Sequence, residues 1–420
     1  MWWKTRLNMC RRKKIFLNEF IYMLNEKIKQ LAKQYAPELI SVRRHLHANP
    51  ELSYQEFKTA EYVKARLTEM GISFETIATT GVLGMIKGKN PGSRVIALRA
   101  DMDALPIVEE NDVSYKSVNK GVMHACGHDV HTTILLGAAK ILNELKHEWE
   151  GTVKLLFQPG EERNPGGASF MIQEGALENP KPAGIVGLHV HPGLNIGQLS
   201  FRKGRVMASA DEIYITIRSK GGHAAAPHLT ADTILIASQL IVGLQQIISR
   251  NNNPISPSVL SICSIQGGST TNVIPSEVKL MGTFRAMDEA WRYKAHELIR
   301  KVATGVVESM GAELDLHIDV GYPTVDNDPA FTEMAWKLAD EFMGKEHVEE
   351  TELRMGAEDF GYYTQVIPGC FYRLGVRNEA KGIIHQVHTP KFDIDENAIE
   401  TGVGMMAYMG VNLATKKVYE

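Results

Sequence analysis

Nine of the fifteen histidines fall in four short runs: His124, His128 and His131; His189 and His191; His223 and His228; His385 and His388. Imidazole, thiol and carboxylate are the side chains that bind divalent transition metals, and histidine is also the side chain that exchanges protons near neutral pH. The run His124-Ala125-Cys126-Gly127-His128-Asp129-Val130-His131 concentrates a thiol, three imidazoles and a carboxylate ahead of a helix that Asp129 is placed to cap. Cys126 and His128, two apart on a glycine-kinked loop, can both reach one cation, and a metal there would deprotonate the thiol. A nucleophilic role for Cys126 is the rival reading, which the surrounding histidines disfavour. Glu161 and Glu162 are adjacent, so their charges repel unless a cation or a proton separates them; one ligand and one base is the economical division. Asp101 and Asp103, then the His189–His191 and His385–His388 runs, bring the strand-end and loop clusters to five. Together they point to metal.

These groups need elements to hold them. Residues 94–98, 152–157 and 184–188 are short apolar runs of buried-strand type, separated by helical patterns at 53–70 and 130–147. That alternation predicts an α/β fold with a mostly parallel, covered sheet. Three of the histidine runs sit where a strand gives way to a loop, and ligands of open α/β sheets collect at the carboxyl ends of strands. From about 207 the pattern changes to strand (212–218), helix (230–249), strands (258–265 and 277–286), helix (289–309) and strand (312–319). This β-α-β-β-α-β order reads as a second, α+β domain inserted at 207–320. Gly204 and Gly321-Tyr322-Pro323 supply its hinges. Helices at 330–343 and 395–413 and a strand at 370–374 resume the first pattern. The expected division is a basic, disordered extension at 1–22, a catalytic domain at 23–206 and 321–420, and the insertion between.

Length and charge restrict the function classes. The 420 residues suit two domains, and 44% apolar with 23% charged composition is that of a globular chain. The net charge of −3 sums +5 from residues 1–22 (six Lys/Arg, one Glu) and −8 from the rest, a sign that argues against nucleic-acid binding. No uninterrupted apolar run approaches the ~18 residues of a membrane helix, which predicts no membrane partner. Residues 1–22 lack the apolar core of a secretory signal, and Cys10, Cys126, Cys263 and Cys370 show no paired spacing. Both point to the cytoplasm.

The runs RADMDALPI (99–107), HACGHDVHT (124–132), FQPGEE (157–162), GLHVHP (187–192), GGHAAAPH (221–228), NVIP (272–275), GAEDF (356–360) and HTPKFDIDE (388–396) resemble the dinuclear metal-dependent amidohydrolases. That group includes hippurate hydrolase, N-acyl-amino-acid amidohydrolases and indole-acetyl-amino-acid hydrolases. The likeness extends from RRHLHANPELS (43–53) to the end of the chain.

The resemblance implies two divalent ions per subunit, Mn²⁺ or Zn²⁺, held by Cys126, His128, Glu162, His189 and His388. It implies Glu161 as the general base acting on a metal-activated water and Asp103 as an orienting carboxylate. Asp101 falls where many relatives carry a ligand histidine, a ligation that Cys126 takes over. His191 and His385 have no assigned metal role. The inserted domain corresponds to a lid that also dimerises, with His223 reaching into the partner's site to polarise the scissile carbonyl. Asn272 and Arg285 correspond to residues that bind the substrate's α-carboxylate. The expected reaction is hydrolysis of an N-acyl-amino acid to a carboxylic acid and a free amino acid by a homodimer. The alternatives are a dipeptidase or carboxypeptidase using the same centre, for which no dedicated amine-binding carboxylate stands out, and a non-catalytic metal- or ligand-binding protein.

Overall fold

A computed structural model describes residues 2–415, with side chains described from residue 23 onward. The expectation for 1–22 lies outside the residues whose side chains are described. The chain forms two compact units, one comprising residues up to Gly204, Asn327–Thr351 and Val366 onward, the other Arg205–Asp326 and Glu352–Gln365.

The first unit is built on eight strands in the spatial order Ser73–Ile77, Gly81–Lys87, Thr152–Gln158, Val95–Asp101, Ile185–Asn195, Gly369–Arg377, Leu199–Phe201 and Val348–Glu350. The four central strands, Thr152–Gln158 through Gly369–Arg377, run parallel, and the antiparallel pairings lie toward the two edges. Every side chain of Val95–Asp101 and Thr152–Gln158 is buried, as the continuous apolar runs require of strands covered on both faces. The helix His128–Glu144 is buried almost all round, because helices Trp2–Ala48 and Ala398–Ala414 pack against it and it packs on the strand Val95–Asp101. Its start departs from expectation. The cap position belongs to Gly127, and Asp129 sits inside the first turn with its carboxylate turned to Arg43 and His47.

One strand is longer than its apolar run. Ile185–Asn195 continues through His189 and His191, so His189 is a strand residue, paired in parallel register with Arg373, and not a loop residue.

In the second unit a four-stranded antiparallel sheet has the order Ser258–Gln266, Glu277–Ala286, Asp211–Arg218 and Glu313–Val320. Ile213, Ile215 and Ile217 alternate inward beneath helices Thr233–Gln246 and Glu289–Ser309. At the start of this sheet Asp211 is buried with Arg292 and His296, whose Nε atoms lie 2.9 and 2.8 Å from its Oδ2. Segment Glu352–Gln365 joins this unit through backbone bonds between Arg354 and Val206 and between Ala208 and Arg354. A π-turn at Ile247–Asn251 extends the first of these helices. Thr233–Asn251 is thereby long and apolar enough to cross a membrane by length and composition, with 33% of the window buried. Ile236, Ala237, Leu240, Leu244 and Ile247 are its buried apolar positions, in the core shared with the sheet.

Candidate metal centre

The parallel strands Thr152–Gln158, Val95–Asp101 and Ile185–Asn195 are neighbours, and their carboxyl-end residues bring Glu161 and Glu162, Asp103 and His189 to one edge of the sheet. Helix His128–Glu144 begins beside them with His128. Gly127 makes that placement possible. It has φ +86°, and a Cβ there would stand 2.5 Å from Cγ2 of Val190, so the chain turns sharply between Cys126 and His128 with no side chain in the way. A second left-handed glycine, Gly160 (φ +59°), precedes the glutamate pair; a Cβ there would meet Tyr54 Cε1 at 2.3 Å. His388 is a non-glycine residue in the same region (φ +62°), and its N–H donates to the carbonyl of Ala125 at 2.8 Å. That backbone bond docks the C-terminal loop on the Cys126 loop.

The side chains converge on the Cys126 sulfur. Sγ lies 3.3 Å from Nε2 of His189 and 3.3 Å from Nε2 of His388. His388 Nε2 is in turn 3.2 Å from Oε1 of Glu162. His128 Nε2 lies 4.0 Å from that same oxygen and 3.9 Å from Oε2 of Glu161. The donor atoms of Cys126, His128 and His189 stand within 4.8 Å of one another, as do those of Cys126, Glu162 and His388. The thiol is common to both sets.

The surroundings of each imidazole fix which nitrogen faces the cluster. His128 Nδ1 donates to Oδ1 of Asp103 at 3.1 Å, and His189 Nδ1 donates to the carbonyl of Val190 at 2.7 Å. Both therefore present an Nε2 lone pair inward, the arrangement in which an outer hydrogen bond orients a metal-binding histidine. Asp103 is itself held by Ser53 Oγ at 2.6 Å and the N–H of Glu162 at 2.9 Å, both on Oδ2. His128 Nε2 is buried without a hydrogen-bond partner among the described residues, and the buried Glu162 Oε1 beside it has the His388 imidazole at 3.2 Å. An orphaned imidazole nitrogen facing a carboxylate oxygen next to a thiol fits a cation, because a buried polar group left unmatched costs roughly 1–3 kcal/mol.

Electrostatics agree. Burial would lower the pKa of His128, yet Asp101, Asp103 and Glu162 push it up to about 10. Burial, with Glu162, Glu161 and Asp101, holds the Cys126 thiol well above its ordinary value. The cluster is short of positive charge.

Asp101 has both oxygens engaged by the protein. Oδ2 accepts from Arg99 and Oδ1 from His131 Nδ1 at 2.6 Å, and His131 Nε2 accepts the N–H of Val190 at 2.9 Å. This buried brace stiffens the strand residue after His189. Sequence reasoning left His131 without a role; its i,i+3 spacing from His128 on one helix face was the available signal. Ser53 was also missed, and nothing local marks it. His191 Nδ1 accepts the N–H of Gly193 at 3.4 Å, and His385 is exposed.

His223, Asn272 and Arg285 belong to the second unit. His223 lies in a two-stranded ribbon, paired with Val273, and Ala224 N–H donates to the Asn272 carbonyl at 3.0 Å. His223 Nδ1 accepts the N–H of Ala225 at 3.0 Å, which leaves Nε2 as the donating nitrogen. The ribbon adjoins the Arg218/Glu277 end of the four-stranded sheet through the Ser219 to Ser276 backbone bond. Arg285 is half-buried near the other end of strand Glu277–Ala286, opposite Val259. At ~3.3 Å per residue the strand carries it about 26 Å from Glu277. His223 and Asn272 are thus brought together, and Arg285 is not with them.

A largely parallel sheet that gathers a cysteine, imidazoles and paired glutamates at its carboxyl edge defines a metal-dependent hydrolase. The chain belongs to peptidase family M20/M25/M40, whose sequence profile matches residues 97–410. It is 39% identical over 398 residues to thermostable carboxypeptidase 2 of Saccharolobus solfataricus, spanning 94% of this chain and 100% of that protein. To the N-acetyl-L-cysteine deacetylase of Bacillus subtilis it is 41% identical over 363 residues, 86% of this chain and 85% of the relative. Among solved structures, a dinuclear metal-binding peptidase of the M20 family from B. subtilis superposes with a TM-score of 0.79 at 34% identity, covering 91% of this chain and 99% of the other.

Proposed function

We propose that this enzyme hydrolyses the linear amide of N-acyl-amino acids, releasing a carboxylic acid and a free amino acid. The observation that carries the reading is the pair of donor sets sharing the Cys126 sulfur, with the unmatched His128 Nε2 facing Glu162 between them. Cys126, His128, Glu162, His189 and His388 would hold two divalent ions, Mn²⁺ or Zn²⁺. Thiolate and imidazole suit Zn²⁺, while the carboxylate suits Mn²⁺ as well. When bound, such ions supply Lewis-acid activation of water and of the amide carbonyl.

The chain's own residues do the rest. Glu161, buried beside His128, takes a proton from the attacking water and returns it to the departing amine. Asp103 holds His128 in one tautomer. His223, with Nε2–H free to donate, polarises the scissile carbonyl, while Asn272 and Arg285 grip the α-carboxylate. The ~26 Å between Arg285 and the Glu277 end of its strand, which the ribbon adjoins, argues that one substrate meets His223 and Asn272 from one copy of the chain and Arg285 from another. A homodimer through the second unit, acting as lid, satisfies this. Its edge strand Ser258–Gln266 and the exposed Leu235 and Val242 of helix Thr233–Gln246 are the surface on which a second copy would seat. Cys126, Cys263 and Cys370 are free thiols, in keeping with a cytoplasmic enzyme.

The carboxypeptidase relative favours a second reading, release of a C-terminal residue from a peptide by the same centre. A panel of N-acetyl-, N-benzoyl- and N-indole-acetyl-amino acids, assayed with Mn²⁺ and with Zn²⁺ beside free-amine dipeptides, separates the two. Turnover of the acylated amino acids is expected. Turnover confined to the peptides would select the second reading, and silence toward all would leave a metal-binding protein without this activity.

A further inference from the structure

Helix Trp2–Ala48 supplies none of the proposed ligands, yet its C-terminal turns are buried against the loops that carry them. We propose that Arg43 is a positioning residue, a fork that locks the Cys126–His128 segment to the His388 loop and so sets the affinity and geometry of the metal centre. This rests on the ligand assignment proposed above.

The Arg43 side chain is fully buried. Its Nε donates to Oδ2 of Asp129 at 2.8 Å, and its Nη2 donates to Oδ1 of Asp393 at 2.8 Å. Nη1 lies 3.6 Å from Glu396 Oε1. Asp129 directly follows His128, and Asp393 lies five residues beyond His388. One planar guanidinium therefore addresses both ligand-bearing segments at once. The backbone bond from His388 to Ala125, beside the contact of His388 with the Cys126 sulfur, ties the same segments at a second point. Two ties at different points fix an angle, whereas one leaves a hinge, and His388, held at positive φ, needs its loop fixed.

The guanidinium is in turn immobilised. Tyr115 stacks on it with the ring centroid 5.0 Å from Cζ and donates its hydroxyl to Oδ2 of Asp393 at 2.9 Å. His47, one helical turn on, faces Asp129 Oδ2 at 2.8 Å through Nδ1 and Glu109 Oε1 at 3.2 Å through Nε2. A buried ion pair is weak evidence of a contribution to stability, since apolar replacements of similar volume are often neutral. What a guanidinium does that an ammonium cannot is hold two carboxylates in a set relative orientation.

The test compares R43M, which keeps an unbranched apolar stem but removes the charge and every donor, with R43K, which keeps the charge but presents a point donor in place of a fork. Zn²⁺ affinity is read by chelator competition, and Co²⁺ substitution reports coordination through the thiolate and ligand-field bands. Both variants are expected to bind Zn²⁺ roughly 10–100-fold more weakly, the usual effect of losing an outer partner of a metal site. Both are also expected to shift the Co²⁺ bands. Should R43K restore affinity and spectrum to wild-type values, charge alone is at work and the fork is refuted; an unchanged R43M would refute it equally. D393N, altering the partly exposed partner, keeps the question answerable if R43M does not fold, and it is expected to weaken Zn²⁺ in the same direction; unchanged affinity there refutes the clamp. C126A is the control: if it too leaves metal content unchanged, the ligand assignment has failed, whereas loss of metal in C126A with none in the Arg43 variants or D393N sinks the clamp alone.

Discussion

Gly127→Ala tests whether the turn between Cys126 and His128 is the feature that builds the centre. The perturbation has two separable parts. At φ +86° and ψ +19° an alanine sits in the left-handed region, a cost of about 1–2 kcal/mol. Its Cβ would also stand 2.5 Å from Val190 Cγ2, on the order of 1 Å inside an ordinary carbon contact. Val190 lies on a central strand and is 1% exposed, so it cannot retreat; overpacking of this kind costs roughly 1–3 kcal/mol. The sum is about 2–5 kcal/mol, read by urea denaturation of the metal-free protein. Val190→Ala removes the clash but not the backbone strain. Measured on that background, Gly127→Ala should retain about 1–2 kcal/mol, and the difference between the two backgrounds is the steric share. In metal titrations the single variant should also bind Zn²⁺ at least tenfold more weakly, since the two flanking ligands move. A cost below about 0.5 kcal/mol in the single variant, or its complete disappearance in Val190→Ala, would refute the reasoning.

Glu161→Gln should keep its metal and lose roughly 10²–10⁴ in kcat with little change in KM; more than a tenth of wild-type turnover removes Glu161 from the role of base. Asp101→Asn should leave metal stoichiometry unchanged by elemental analysis yet destabilise the fold by about 1–3 kcal/mol, because the buried Arg99 and His131 each lose a charged hydrogen-bond acceptor; a lost ion would make Asp101 a ligand. Asp211→Asn should lower the melting temperature through a comparable loss of about 3 kcal/mol at the buried Arg292 and His296. Burial raises the Asp211 pKa, but His296 and Arg292 hold it below its ordinary value of 3.8. Its contribution is then complete above that value and lost as pH falls through the lower, folded one. The gap between wild type and variant should therefore be open at neutral pH and close on acidification; a gap that widens in acid contradicts the assignment.

Local pattern made much of this architecture readable. Helix Glu289–Ser309 and strand Glu277–Ala286 fall where periodicity puts them, because each has one apolar face and a flanking turn. What was hidden depends on distant partners. Arg43 and His47 sit four apart on a helix and look like a solvated charged face; their burial is decided by Asp129 and Asp393, 86 and 350 positions from Arg43. The helix expected from 53 begins at Phe57 because Ser53 is turned to Asp103 and Glu56 to Thr80 and Gly160. His189 reads as a loop residue because its alternation with Val190 and His191 is short and polar, yet parallel pairing with Gly369–Arg377 carries the strand onward. Segment Glu352–Gln365 shows no local reason to leave its neighbours; its backbone bonds to residues 206–208 supply one.

Cys126 and His388 touch at 3.3 Å across 262 positions of chain. An ion gripping both would close a covalent-like ring that encloses every residue of the second unit. By the loop-closure relation used for cross-links, a ring of that size denies the unfolded chain on the order of 5–6 kcal/mol of conformational freedom. The cation would then be a fastener as well as a reagent, and a chelator would loosen the whole circuit of chain from its first ligand to its last.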